Sequence, residues 1–301
     1  MAERSDTIGF IGLGVMGEPM CRNLADRSGR RVLASDLNQA PLQRLAAHGV
    51  QPADLKATAA GADTIFLSLP GGREVEAVCE TLLPLLGSGQ TVVDCSTSPV
   101  GLTRALAARF AAQGVDYADA PVARTREAAE KGTLAIMVGA SAPVFDRIRP
   151  LLACCASDIS HCGEVGAGQM AKILNNMVLF QTVVALSEAL ALAESAGVDG
   201  RTMFDTLTTG SADSFALRNH GMKAVLPGVF PERAFSARYA LKDLTYALDL
   251  AREGGVDLPG AETARRYLEA AIAAGDGDLY WPAIARRVAK RKDGEASQQG
   301  G

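Results

Sequence analysis

Apolar positions follow two different rhythms along the chain. Through the first half, short apolar runs alternate with stretches of helical spacing. Residues 7–11, 31–35, 64–69, 90–94, 135–138 and 158–161 read as strands. Between them, residues 15–26 place Met16, Met20 and Leu24 on one helical face, and residues 40–48 and 99–112 are helical up to Gly49 and Gly114. Strands that alternate with helices imply a mostly parallel sheet covered on both faces. The second half changes character. One long helical pattern spans residues 168–195, about 40 Å of helix, and Gly197 stops it. Helical patterns follow at 200–208, 214–224, 239–253, 259–274 and 280–290, with few extended runs. The expected class is α/β: a doubly wound sheet in residues 1–163, then an all-α domain in 164–293, joined through the long helix. Residues 294–301 read as a flexible polar tail.

Composition narrows the function classes. With 301 residues and 48% hydrophobic content, the chain has enough apolar surface for a folded core. A formal net charge of -4 and the lack of a Lys/Arg-rich block argue against a nucleic-acid partner. No run of about 20 residues reads as free of polar interruptions, so no membrane partner is expected. The polar N-terminus holds no secretory segment, and a cytoplasmic location is expected. Six scattered cysteines without a CxxC pair read as buried reduced thiols. His161 beside Cys162 is too little for a metal, and none is expected.

Chemistry first becomes specific at Gly12-Leu13-Gly14-Val15-Met16-Gly17. The glycines follow an apolar strand and open a helix, the setting of a Rossmann dinucleotide site. Gly12 permits the tight turn, Gly14 lets the backbone approach a pyrophosphate, and Gly17 lets helix and strand pack closely. Asp36 ends the second strand nineteen residues after Gly17. A carboxylate there accepts hydrogen bonds from the ribose hydroxyls and repels a 2′-phosphate, and neither Leu37 nor Asn38 offers a counter-charge. NAD is therefore expected rather than NADP. The plain alternatives are a glycine turn without a ligand and a solvated strand-end acid.

Five segments together resemble the β-hydroxyacid dehydrogenase family: residues 9–20, Asp94-Cys-Ser-Thr97, Asp119-Ala-Pro-Val122, residues 163–176 and Lys242-Asp-Leu244. They span nearly the whole chain. The resemblance implies a Rossmann-like domain, a long interdomain helix, a helical domain, and a homodimer or homotetramer. It also implies an NAD-dependent oxidoreductase that interconverts a short β-hydroxy acid and its aldehyde. Lys172 and Asn176 lie four apart on the long helix and share a face, with Asn175 on the adjoining flank. A lysine ammonium at the substrate oxygen donates a proton and stabilises negative charge. The resemblance makes Lys172 that acid–base residue, places Asn176 with it as catalytic, and gives Asn175 to substrate orientation. It assigns Ser96 to substrate and Thr97 to the nicotinamide, and Leu69, Pro70 and Lys242 to the cofactor. The position of Pro99 leaves the shape of the 96–97 turn open. As plain alternatives, Lys172 and Lys242 are exposed helix charges and the hydroxyls cap a turn.

One departure carries information. Where the family continues Asp-Ala-Pro-Val with Ser-Gly-Gly, this chain reads Ala123-Arg124-Thr125. That loop resembles the 3-sulfolactaldehyde reductase branch, in which an arginine meets a sulfonate. A guanidinium fork and the Thr125 hydroxyl suit such an anion. The expectation is a hydroxy-sulfonate substrate. An ordinary carboxylate, such as 3-hydroxyisobutyrate or tartronate or succinic semialdehyde, is the alternative, and a non-catalytic NAD-binding scaffold a more distant one. The plain alternative is that Arg124 faces solvent or pairs with a nearby acid such as Glu127.

Overall fold

The structure, a computed structural model, describes residues 6–232 and 234–288. It divides into two compact units, Met1–Lys172 and Ile173–Gly301. The expected tail at 294–301 and the end of the expected helix at 280–290 lie outside the described residues.

The first unit is built on a sheet ordered β3-β2-β1-β4-β5-β6-β8-β7, with β9 on the far side of β8. Its parallel strands are β1 (Thr7–Ile11), β2 (Arg31–Ser35), β3 (Gln51–Pro52), β4 (Thr64–Leu67), β5 (Thr91–Asp94) and β6 (Asp116–Asp119). Every residue of β1, β4 and β5 is buried, which is why these strands read as largely apolar runs. Helices α1 (Gly17–Arg27), α2 (Gln39–Leu45), α3 (Leu55–Gly61), α4 (Gly72–Leu82) and α5 (Val100–Ala111) connect them. Asn38 and Asp54 cap α2 and α3 through the amides of Ala40 and Ala57.

Beyond β6 the sheet changes direction. Strand β7 (Val122–Ala123) runs antiparallel to β8 (Leu134–Gly139), and Asp119 pairs antiparallel with Gly139. Strand β9 (Ala156–Gly163) lies parallel to β8. Helices α6 (Arg126–Lys131) and α7 (Ala142–Leu152) join these strands. The sequence pattern missed β6 because an acid stands at each end of its four residues.

Helix α8 (Ala167–Ser195) is the long helix. Its 29 residues contain an 18-residue window of mean hydropathy 1.5, with 39% of that window buried. By length and composition that is enough to cross a membrane, although the helix is not free of polar interruptions. Among the described residues α8 alone meets that criterion. Its interruptions are the charged Lys172, Glu188 and Glu194 as well as Asn175, Asn176 and Gln181. The criterion is one of length and composition, and core helices also satisfy it.

In the second unit Phe180, Val183, Leu186 and Leu190 of α8 pack with Phe204 of α9 (Gly200–Leu207), Leu244 of α10 (Ala237–Gly254) and Leu268 of α11 (Pro259–Ala271). Burying each such side chain contributes about 1.5–3 kcal/mol before entropy is charged. Trp281 is fully buried in this core, edge-on to Phe180 at 4.8 Å. Two expected α-helices take other forms: Leu217–Val225 is π-helical and Trp281–Arg287 is a 3₁₀ helix. The π-turn buries His220, whose Nδ1 lies 2.5 Å from the Tyr280 hydroxyl, and burial pushes its pKa down to about 4.

Candidate active site

The three glycines after β1 do different work. A Cβ on Gly12 would stand 2.3 Å from the Ser68 carbonyl oxygen, and its φ of 94° suits glycine. A Cβ on Gly17 would stand 2.0 Å from the Gly12 carbonyl oxygen. A Cβ on Gly14 would meet nothing within 4 Å. Thus two glycines serve the fold, whereas the third keeps open an exposed surface at the start of α1. That opening fits the pyrophosphate of a dinucleotide, with helix N–H groups facing its charge. Val15 is exposed, Met16 half-buried and Leu13 buried beneath the loop.

Asp36 stands against this loop. Its Oδ2 accepts the Leu13 amide at 2.5 Å and its Oδ1 accepts the Asn38 amide at 2.7 Å. The carboxylate is therefore fixed at the end of β2, beside a fully exposed Leu37. Leu69 donates its amide to Ser96 Oγ at 2.9 Å, which ties the loop after β4 to the turn after β5. Pro70 is exposed and Thr97 half-buried.

The turn left open by Pro99 is shaped by Asp94. Its Oδ1 accepts the Ser96 amide at 2.9 Å, and its Oδ2 accepts the Ser98 hydroxyl at 3.3 Å and the Tyr117 hydroxyl at 3.3 Å. Pro99 then stands immediately before α5. Asp94 and Asp119 end adjacent strands in register, and both are fully buried. Desolvation is the largest cause of both shifts: it raises Asp94 to about 6, despite the hydrogen bonds from Ser96, and raises Asp119. Asp119 accepts the amides of Gly166 and Gln169, each at 2.7 Å, where α8 begins. Gln169 in turn donates Nε2 to the Ser96 carbonyl at 2.8 Å and accepts the Ser98 amide at 3.0 Å. Lys172 lies three residues further along the same helix and is half-buried.

In the second unit Asn175 donates to Asn176 Oδ1 at 3.2 Å, and Asn176 donates to Asp243 Oδ2 at 2.8 Å. Asn176 and Asp243 are buried, whereas Asn175 is exposed. Lys242 Nζ lies 3.0 Å from Asp243 Oδ1, an ion-pair distance without hydrogen-bond alignment, and 5.3 Å from the Tyr246 ring centroid. In sequence Lys172 precedes Asn175 and Asn176 by three and four residues on α8.

The loop after β7 differs from expectation. The Arg124 guanidinium is not presented as an unengaged fork. It donates to the Thr133 carbonyl at 2.7 Å, to Ser157 Oγ at 2.8 Å and to Asp158 Oδ2 at 2.7 Å. Glu127, the acid considered from sequence, pairs instead with Lys131 at 2.6 Å, because the two are four apart on α6. The Thr125 hydroxyl accepts the Ala128 amide and caps α6, so its lone pairs are partly committed. Arg124 also has φ 86°, the left-handed region that disfavours a side chain. The sequence reading gave no role to Asp94, Asp119, Gln169 or Asp243. An acid closing the apolar strand β5 was the available signal for Asp94, whereas β6 was not legible as a strand.

The loop, the fixed Asp36 and the sheet order define a dinucleotide-binding fold. Comparison with known proteins makes this definite. Residues 7–163 match the family described as the NAD binding domain of 6-phosphogluconate dehydrogenase. Residues 166–288 match that described as NAD-binding of NADP-dependent 3-hydroxyisobutyrate dehydrogenase. The chain is 39% identical to 2-(hydroxymethyl)glutarate dehydrogenase of Eubacterium barkeri, covering 91% of this chain and 92% of that protein. It is 35% identical to 3-hydroxyisobutyrate dehydrogenase of Pseudomonas aeruginosa, covering 86% and 89%. The structure resembles that of Mycobacterium tuberculosis 3-hydroxyisobutyrate dehydrogenase with L-serine, at TM-score 0.84 and 32% identity, covering 95% and 99%. The chain belongs to the β-hydroxyacid dehydrogenase family and is an NAD(P)-dependent dehydrogenase or reductase acting on a hydroxyl group.

Proposed function

We propose that the protein interconverts a short β-hydroxy acid and the matching aldehyde or ketone, using NAD(H) in preference to NADP(H). The observation that carries this reading is Lys172 on a helix whose glycine-rich start is bonded to the ends of β5 and β6. Open α/β sheets bind ligands at that edge. Bound NAD supplies the two-electron acceptor or donor. Lys172 donates a proton to the substrate oxygen in reduction and accepts it in oxidation. Asn175, exposed and bonded through Asn176 to Asp243, orients the substrate. Ser96 and the 122–125 loop receive its anionic end. Asp36 favours NAD because a 2′-phosphate beside it would meet a fixed negative charge.

A sulfonate in place of the carboxylate is the second reading, and one observation favours it. Arg124 occupies a backbone conformation suited to glycine, so this chain keeps a charged side chain there at a cost in strain. Its bonds to Thr133, Ser157 and Asp158 count against it, because an incoming anion would compete with Asp158. We also propose a homodimer or homotetramer formed through the helical unit. Leu174, Val178 and Leu192 of α8 are exposed, and the apolar surface they offer supports that assembly.

The test is NADH oxidation against short aldehydes bearing a carboxylate or a sulfonate, with wild type and Lys172→Ala. Wild type is expected to turn over at least one, and Lys172→Ala to lose about 10²–10⁴-fold in kcat while binding NADH. A variant retaining more than about a tenth of wild-type kcat removes Lys172 from proton transfer.

A further inference from the structure

We propose that Gln169 and Asp119 are positioning residues for Lys172, fixing the first turn of α8 to the ends of β5 and β6. The inference rests on the hydroxyacid reading above and assigns it two parts that touch neither substrate nor cofactor. Gln169 is fully buried and stands three residues before Lys172, nearly one helical turn. Its amide cannot be turned over: the oxygen must face the Ser98 N–H and the nitrogen must face the Ser96 carbonyl. The side chain thus clamps both sides of the turn that carries Ser96 and Thr97. Because Ser96 Oγ also takes the Leu69 amide, the loop after β4 is held in the same frame.

Asp119 supplies the second attachment. It accepts two amides at the start of α8, whose N-terminal dipole favours a negative charge. Room for it is made by two glycines. A Cβ on Gly139 would stand 2.4 Å from Asp119 Oδ1, and one on Gly168 would stand 2.8 Å from Asp119 Oδ2. A helix start needs no such arrangement for stability, since a local Ser or Asp cap satisfies its amides. Burying a carboxylate beside Asp94 opposes folding. What the arrangement provides is a fixed register between the lysine-bearing helix and the substrate turn. A displacement of about 1 Å at a reacting group costs on the order of 10²-fold in rate.

The experiment compares wild type with Gln169→Met and Gln169→Glu. Methionine keeps the length and removes both hydrogen bonds. Glutamate keeps an acceptor for Ser98 but turns an oxygen towards the Ser96 carbonyl. Calorimetric NADH binding counts competent sites, and kcat and KM are expressed per competent site on an aldehyde the wild type reduces. The expected result is a fall in kcat of about 10- to 100-fold, with KM and NADH Kd within about threefold. A kcat within twofold of wild type per site, with only a lower Tm, overturns the proposal. If both variants fail to bind NADH, Asp119→Asn is measured in the same way. Loss of NADH binding in all three assigns the cluster to the scaffold alone and also overturns it. A wild type that reduces no aldehyde while binding NADH refutes the underlying enzymatic reading instead, which keeps the two failures apart.

Discussion

Gly14 and Gly17 offer a matched pair of perturbations, because the same methyl group meets opposite surroundings. At Gly14 a Cβ meets nothing within 4 Å, and the backbone is outside the left-handed region. Gly14→Ala is therefore expected to leave the unliganded fold intact, or to stabilise it by about 0.4–1 kcal/mol through the unfolded chain. In a domain of this size that is a rise in Tm of about 1–4 °C. The methyl group stands instead where the cofactor pyrophosphate approaches. Loss of one charge-assisted contact there costs about 1.5–3 kcal/mol, or roughly 10- to 150-fold in NADH Kd. At Gly17 the methyl group meets the Gly12 carbonyl oxygen at 2.0 Å, and that oxygen is backbone. Gly17→Ala is expected to lower Tm by about 2–12 °C, from an overpacking cost of about 1–3 kcal/mol. Thermal unfolding with and without NADH, with calorimetric Kd values, separates the two effects. Wild-type NADH affinity in Gly14→Ala, or an unchanged Tm in Gly17→Ala, would refute this division of labour.

Asp36→Ser should narrow the preference for NAD(H), raising kcat/KM with NADPH relative to NADH; a wild type already faster with NADPH would contradict the reading. Arg124→Gly relieves about 1–3 kcal/mol of backbone strain and loses an exposed ion pair worth about 0–1 kcal/mol together with the bonds to Thr133 and Ser157, so Tm should change little. If Arg124 also grips a sulfonate, kcat/KM for that substrate alone should fall about 10- to 200-fold; equal effects on carboxylate and sulfonate make it a loop residue. Asp94 binds its proton more tightly in the folded state, at about 6 against an ordinary 3.8. Its contribution to stability is thus fully present below 3.8 and is lost as pH rises through about 6. The full span is on the order of 3 kcal/mol, roughly half of it gained between about pH 8 and pH 5. Denaturant titrations of wild type and Asp94→Asn should diverge by that amount, and parallel curves would show that Asp94 titrates normally.

Much of the first unit was legible because its central strands are buried on both faces and therefore largely apolar. Direction was not legible: nothing in the composition of Leu134–Gly139 says that it runs against β6. The helical unit was legible as helix but not as helix type. The π-turn at Leu217–Val225 depends on tertiary packing, where Gly221 lies against Phe204. Single candidate residues stood out in the sequence where a backbone constraint or a motif marked them, as with Gly12, Asp36 and Lys172. Asp119, Gln169 and Asp243 act on partners 50, 73 and 67 residues away, and local spacing carries no trace of such pairings. Arg124 shows the converse. Its residue type suggested an anion from outside, but the chain itself brings one in Asp158, 34 positions further on.

The burial of Trp281 has a practical consequence for spectroscopy. It is the chain's single tryptophan, and it sits among Phe180, His220 and Tyr280 in the core of the second unit. Its emission therefore reports the helical unit alone and says nothing directly of the nucleotide-binding unit. Circular dichroism, by contrast, sums over both. Unfolding curves from the two signals will superimpose only if the units melt together. A separation would give each unit its own midpoint without cutting the chain or adding a label, and would show which of them bound NADH protects.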